Sequence, residues 1–245
     1  MTDSQPYENL LARIYDEDNP DGPDHDFYRE LADEESAKNL LDLGCGTGIL
    51  TVTFAQQGRS IVGIDPSESM LNIARERPQE GGIEWRIGTS QNIETNRFDF
   101  AILSGNAVMH ILGEDWHNAL ADIARGLKKG GTLTFETRNP EAEAWGSWGH
   151  EKYQRQTSVG LLEETTSVTQ PDQNGVVRLK SENFFVTQNL NFSTVLRLQF
   201  RTYKEISSQL EEHGFGMNHV YSQWDKTEFV PGSQQPLMIF VCTKL

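Results

Sequence analysis

Two kinds of hydrophobic pattern alternate along residues 39–140: short apolar runs, and longer stretches with apolar residues every three or four positions. The runs around Leu40, Leu41 and Leu43, then 60–65, 83–88, 98–104 and 132–137, predict strands. The fourth of these is almost wholly apolar, as a parallel strand buried on both faces is. Helical spacing predicts helices over 24–36, over Ile49 to Gln57 with Gly58 as its stop, after Ser67, and over 114–126. Tyr7, Leu10, Leu11, Ile14 and Tyr15 predict a short amphipathic helix ahead of the turn-rich segment 18–23. Beyond residue 140 the pattern changes. Three alternating runs, 157–169, 176–188 and 192–202, read as an antiparallel sheet, with a hairpin signal at Pro171–Gly175. A helix over 203–213 stops at Gly214, and strands at 215–223 and 236–243 close the chain. The order is that of an α/β fold with a β-rich insertion.

The stretch Asn39-Leu-Leu-Asp-Leu-Gly-Cys-Gly-Thr-Gly-Ile-Leu-Thr51 joins the first strand to its helix through Gly44, Gly46 and Gly48. Glycines here let a ligand lie against the backbone, and the free N–H groups of a following helix welcome a negative group. The spacing is G-x-G-x-G, whereas the dinucleotide fingerprint is G-x-G-x-x-G. Asp42, two positions before the first glycine, suits a ligand bearing an ammonium group better than one bearing a pyrophosphate. Asp65, at the end of the second strand, can accept two hydrogen bonds from vicinal ribose hydroxyls. It can also serve only the turn into the next helix, where Ser67 is the better cap.

This pattern resembles motif I of the class I S-adenosylmethionine-dependent methyltransferases, and the run Leu127-Lys-Lys-Gly-Gly-Thr-Leu133 is similar to theirs. The resemblance covers 39–140 and 203–245. It implies a Rossmann-like, mostly parallel seven-stranded sheet with an antiparallel last strand, formed by 1–140 with 203–245. Residues 141–202 then form an inserted antiparallel β-sheet lid or substrate subdomain. It implies S-adenosyl-L-methionine as cofactor, with Asp42, Gly44, Cys45, Gly46 and Gly48 at its methionine part and Asp65 at its ribose. Pro66 and Met70 would line the adenine, Met70 being equally ordinary core filler. The family usually carries an Asp after the third strand; here Thr89, Ser90 and Gln91 stand in that region and would contact the adenine instead. By the same resemblance the first helix is a lid, with Tyr7 or Tyr15 touching the ligand. Sugar-amine N-methyltransferases of similar layout carry such inserted sheets, some pairing subunits through them, so a homodimer is a possible state.

Ligands of open α/β sheets lie beyond the carboxyl ends of the strands. Ser104, Asn106 and His110 therefore mark the place of transfer, Ser104 counted with the cofactor and Asn106 with the substrate. His110 is the candidate catalytic base; its plain alternative is a histidine packed on Trp116. Trp145, Trp148 and His150 either wall an acceptor pocket or anchor the insertion. Arg138 either pairs with a carboxylate on the acceptor or with a surface acid. No metal triad, nucleophile elbow or Asn-Pro-Pro-Tyr motif is read.

Charge narrows the partners. With 21 Lys+Arg against 36 Asp+Glu, the formal charge is -15. Nucleic acid and anionic membranes are poor partners for such a chain, and a small-molecule acceptor is expected. Two cysteines, Cys45 and Cys242, indicate no disulfide framework. No signal sequence or membrane-length apolar run is read, so a cytoplasmic location is expected. The expected activity is methyl transfer to a nitrogen or oxygen of a small molecule. The alternatives are an NAD-dependent oxidoreductase and a non-catalytic S-adenosylmethionine-binding protein.

Overall fold

The apolar runs of the first half become neighbours in one sheet. The computed structural model describes residues 5–56, 58–78 and 81–245. Helices α1 (Gln5–Asp18) and α2 (Pro23–Glu34) precede strands β1 (Asn39–Leu43) and β2 (Ser60–Asp65). Helix α3 (Glu68–Glu76), strands β3 (Ile83–Ile87) and β4 (Phe98–Leu103), helix α4 (Glu114–Gly126) and strand β5 (Leu127–Arg138) follow. Four strands come next: β6 (His150–Thr157), β7 (Gly160–Val168), β8 (Val176–Phe185) and β9 (Leu190–Gln199). Helix α5 (Tyr203–Glu212) and strands β10 (Phe215–Tyr221) and β11 (Leu237–Lys244) end the chain.

The main sheet has the order β10-β11-β5-β4-β1-β2-β3, and the other four strands form a meander, β6-β7-β8-β9. Strands β1, β2, β3, β4 and β5 pair in parallel, while β11 runs antiparallel to both β5 and β10. Strand order reverses between β4 and β1, which opens a crevice at their carboxyl ends. Both sheet faces are covered. Phe27, Tyr28 and Leu31 of α2 pack with Leu40, Ile61, Phe100 and Ile102 on one. On the other, Trp116, Leu120 and Ile123 of α4 and Ile206 and Leu210 of α5 share a cluster with Val177, Leu198 and Phe200 of the second sheet. Asp99 breaks the apolar run of β4 for a reason: its carboxylate accepts from the backbone N–H of Lys38 and Asn39, at 2.9 and 2.8 Å, and fixes the start of β1.

Two expectations need correction. The helix expected over 49–57 is a single 3-10 turn, Thr51–Phe54. Gln57, its expected last residue, lies outside the described residues. Thr51, Val52 and Thr53 are β-branched and poor helix formers, and two hydroxyls are taken by other acceptors. Thr51 donates to Asp42 at 2.6 Å, and Thr53 back-bonds to the Leu50 carbonyl at 2.6 Å. No helix dipole therefore stands behind the glycine turn. The second correction concerns the insertion, which has four strands rather than three. The extra one, β6, is an exposed edge strand, His-Glu-Lys-Tyr-Gln-Arg-Gln-Thr, and edge strands need no apolar alternation.

Helix α1 braces the two sheets. Tyr7 and Ile14 are buried with Val159, Leu162 and Phe185 of the insertion. The Tyr7 ring stacks on Phe192 at 3.9 Å, and its hydroxyl accepts from Asn183 Nδ2 at 2.8 Å. Each such buried side chain contributes about 1.5–3 kcal/mol. That is enough to hold a helix whose polar face is open to water.

Candidate functional site

The turn after β1 places three residues in the left-handed region: Gly44, Gly46 and Gly48, with φ of +82°, +53° and +71°. They serve different ends. A Cβ on Gly44 would lie 3.0 Å from the Ala107 Cβ, so its bareness lets the loop after β4 close on the turn. A Cβ on Gly48 would lie 2.5 Å from Trp85, and one on Gly63 of β2 2.6 Å from the same ring. Gly48 is thus spoken for by the indole of β3, which crosses the sheet to reach it. Cys45 faces the sheet as well, its Sγ set against Gly63, and burial together with Asp42 and Asp65 pushes its thiol far up. Gly46 remains as the open position, with Tyr15 above it.

Asp65 closes the turn from the other side. Its Oδ2 accepts from the Gly46 N–H at 2.9 Å and its Oδ1 from the Ser67 N–H at 2.8 Å. A carboxylate has about four lone-pair sites, so each oxygen can accept once more. Burial raises its pKa, the two N–H groups and His110 opposing. Asp42 is 1% exposed. Its Oδ2 is held by Thr51, while Oδ1 is buried and unpartnered. Burial pushes this carboxyl up to about 7, Thr51 pulling it down and Asp65 adding to the rise.

A third carboxyl, which the sequence reading passed over, completes the set. Glu136 on β5 is buried and receives the Tyr28 hydroxyl on one oxygen and the Asn106 N–H on the other. Burial pushes it too to about 7, against both hydrogen bonds. The signal for it was a lone acid in the apolar run Thr132-Leu-Thr-Phe-Glu-Thr137. Among the described residues, no lysine or arginine side chain offsets Asp42, Asp65 or Glu136.

Tyr15 of α1 roofs this group. Its ring approaches both Gly46 and Gly105, and burial raises its phenol, with Asp65, Asp16 and Glu136 adding to the rise. The next residue, Asp16, latches the helix down. It accepts from Thr47 Oγ1 at 2.5 Å and pairs with Arg77, whose Nε donates to the Thr47 carbonyl at 2.6 Å. Tyr7, the other expected lid tyrosine, instead holds the second sheet.

The loop after β4 carries Ser104, half-buried, then Gly105 and Asn106 at φ of +66° and +58°. The Asn106 side-chain oxygen is buried and unpartnered. His110 ends the following 3-10 turn, Ala107–His110, with its surface open at the mouth. Loss of solvent around the ring lowers its pKa, Asp65 partly opposing, which favours the neutral imidazole. Arg201, also unforeseen, fixes this turn: its guanidinium donates to the Val108 and Ile111 carbonyls at 3.2 and 2.5 Å and lies over Trp116. Burial lowers that arginine to about 10.

Other expected residues take quieter places. Pro66 is exposed and Met70 half-buried, its N–H donating to the Ser67 cap. Ser90 commits its hydroxyl to Asp122 at 2.8 Å, leaving Thr89 and Gln91 exposed beside it. Trp145 and Trp148 tie the insertion to the core, and Trp145 also lines a cavity with Pro140, Pro171 and Phe200. Both pack on Phe200, at 4.7 and 5.5 Å between centroids, inside the core shared by the two sheets. His150 is exposed at the start of β6, and Arg138 is half-buried opposite Leu237 at the end of β5.

The unpartnered Oδ1 of Asp42 can still accept a hydrogen bond, and Gly46 is the glycine of the turn least crowded by other side chains. Residues 40–131 match the family described as "Methyltransferase domain". The ubiquinone biosynthesis O-methyltransferase of Hahella chejuensis is 31% identical over 155 residues, which are 58% of this chain and 64% of that protein. The chain thus spans under two thirds of that curated relative. Among solved structures, the CcbJ methyltransferase from Streptomyces caelestis superposes with a TM-score of 0.77 at 18% identity, covering 99% of both chains. The S-adenosylmethionine-bound CalS10 of Micromonospora echinaspora, an amino pentose methyltransferase, gives 0.68 at 22% identity, covering 98% of this chain and 97% of its own. At those identities the likeness shows the fold.

Proposed function

We propose that this chain belongs to the class I S-adenosylmethionine-dependent methyltransferase family and moves a methyl group from S-adenosylmethionine to a nitrogen or oxygen of a small molecule. The observation that carries this reading is the gathering of Asp42 and Asp65 at the glycine turn, with Glu136 on the other side of Tyr15 and, among the described residues, no lysine or arginine side chain offsetting them. A sulfonium and an ammonium relieve that charge; the pyrophosphate of NAD would add to it.

When bound, the cofactor supplies a methyl carbon already activated by the positive sulfur, open to in-line displacement. The chain's own work is then binding, alignment and exclusion of water. The unpartnered Oδ1 of Asp42 and the backbone of the turn hold the amino-acid end. Asp65 takes the ribose hydroxyls on the lone pairs its N–H partners leave free. Pro66, Met70, Thr89 and Gln91 border the adenine. Tyr15 closes over Gly46 and keeps water out. Asn106, with Ser104 beside it, faces the acceptor, and Arg138 at the end of β5 can pair with an acidic group on it. For a hydroxyl acceptor, neutral His110 takes the proton at its free nitrogen.

The finer points belong to the same reading. We divide the chain into a cofactor-binding domain, 1–140 with 203–245, and a substrate subdomain, 141–202. The edge strand β9, with Val195 and Leu196 exposed on its opposite faces, offers an edge for pairing two copies. Among the described residues no helix is long and apolar enough to cross a membrane, and a cytoplasmic enzyme that avoids nucleic acid fits its charge of -15.

Calorimetric titration with S-adenosylhomocysteine, with NADH in parallel, tests the function. Saturable binding is expected, weakened by about tenfold or more in Asp65→Ala because charged hydrogen bonds contribute about 1.5–3 kcal/mol. Binding of NADH and not of S-adenosylhomocysteine would overturn the reading.

A further inference from the structure

A second cluster of ligating side chains lies away from this site, where the end of α5 meets α4. His117 Nδ1 and His213 Nε2 are 3.3 Å apart, and Glu212 Oε2 is 4.0 Å from His117 Nδ1. All three atoms fall within 4.8 Å of one another. We propose that His117, Glu212 and His213 bind a late first-row divalent cation of the zinc class.

The spacing is that of a coordination edge. Two imidazole nitrogens bound to one tetrahedral ion at about 2.0–2.1 Å lie about 3.3 Å apart. The nitrogens here have that separation, held in the metal-free chain by a hydrogen bond between the two rings that an ion would replace. Their register is fixed nearby by the Trp116 indole, which donates to Gln209 Oε1 at 3.0 Å across the same two helices. Glu212 is exposed and free to turn its carboxylate inward to complete the set. His213 is the residue that caps α5, with φ -93° and ψ 12°, so its ring leaves the helical path. That departure brings adjacent residues 212 and 213 to one point. Imidazole donors select zinc, nickel and copper over magnesium and calcium. Three protein ligands leave a fourth position for water, and the half-exposed rings leave a path for the ion. The site is separate from the proposed methyl transfer. Its effect is to clip α4, which follows the His110 turn, to α5.

The test is calorimetric titration of the chelator-treated full chain with zinc chloride, with magnesium chloride as control. One saturable zinc per chain is expected, together with a higher melting temperature. His117→Ala and His213→Gln should each weaken zinc binding by about tenfold or more. Cobalt should give a tetrahedral visible band that His213→Gln abolishes. Circular dichroism of the metal-free variants separates lost ligation from lost folding. Absence of saturable zinc binding, or binding that survives in the folded double variant, would overturn the proposal. The double-variant result would assign the zinc to other histidines.

Discussion

A carboxyl group buried without a cation must find hydrogen-bond donors or keep its proton, and Glu136 does both. Its folded pKa of about 7, like that of Asp42, lies above the ordinary carboxylate range. The folded chain therefore holds protons that the unfolded chain releases. For such a group, stability is full below the ordinary range and falls as pH rises towards 7. The loss is on the order of 3 kcal/mol for each carboxyl. Melting curves of the ligand-free protein between about pH 5 and pH 8 should show that fall, and Glu136→Gln should remove its share of the slope. A slope unchanged in the variant would mean that Glu136 does not titrate there. Binding of S-adenosylmethionine should move the other way, tightening through the same window as Asp42 and Glu136 ionise. At this scale the sequence was only partly legible. Asp42 and Asp65 stand at fixed places in a recognisable motif. Glu136, Arg201 and Thr47 do not, because their partners are 30 to 93 residues away in the chain.

Elements were easier to read than residues wherever burial imposes a period. Most strands of the main sheet and helices α2, α4 and α5 follow their apolar spacing. Strand β5 instead begins at Leu127, five residues ahead of the expected 132–137, in a polar stretch with no apolar alternation to read. The pattern failed where local chemistry outbid it, at the Thr51–Phe54 turn, and where there was no pattern to read, in the exposed strand β6. Helix α1 shows the opposite case, an element whose existence was plain and whose duty was not. Its latch is testable. Asp16→Ala removes the acceptor shared by Thr47 and Arg77 and should lower stability by about 1 kcal/mol. The sharper expected outcome is faster hydrogen exchange across 5–18, with S-adenosylhomocysteine leaving sooner. Exchange of α1 no faster than in the parent would show that the packing of Tyr7 and Ile14 holds it alone.

At the scale of the whole molecule, charge and topology act together. A formal charge of -15 on 245 residues resists compaction and keeps copies apart. Any pairing through the outer sheet has to work against that repulsion with apolar area such as Val195 and Leu196, 56% and 44% exposed. Sedimentation should therefore show more dimer as salt rises, and Val195→Asp should keep the chain monomeric at every salt concentration. A dimer indifferent to that substitution would place the interface elsewhere. The general plan was legible because the sheet's parallel order and its closing hairpin are written in the sequence of elements. How the insertion leans on the rest was not, since Trp145 meets Phe200, and Tyr7 meets Phe185 and Phe192, only after folding.

The two duties of α1 have a kinetic corollary. One helix covers the glycine turn with Tyr15 and packs on the outer sheet with Tyr7. Under the proposed function, loosening either contact should quicken release of S-adenosylhomocysteine, whichever end of the helix is loosened.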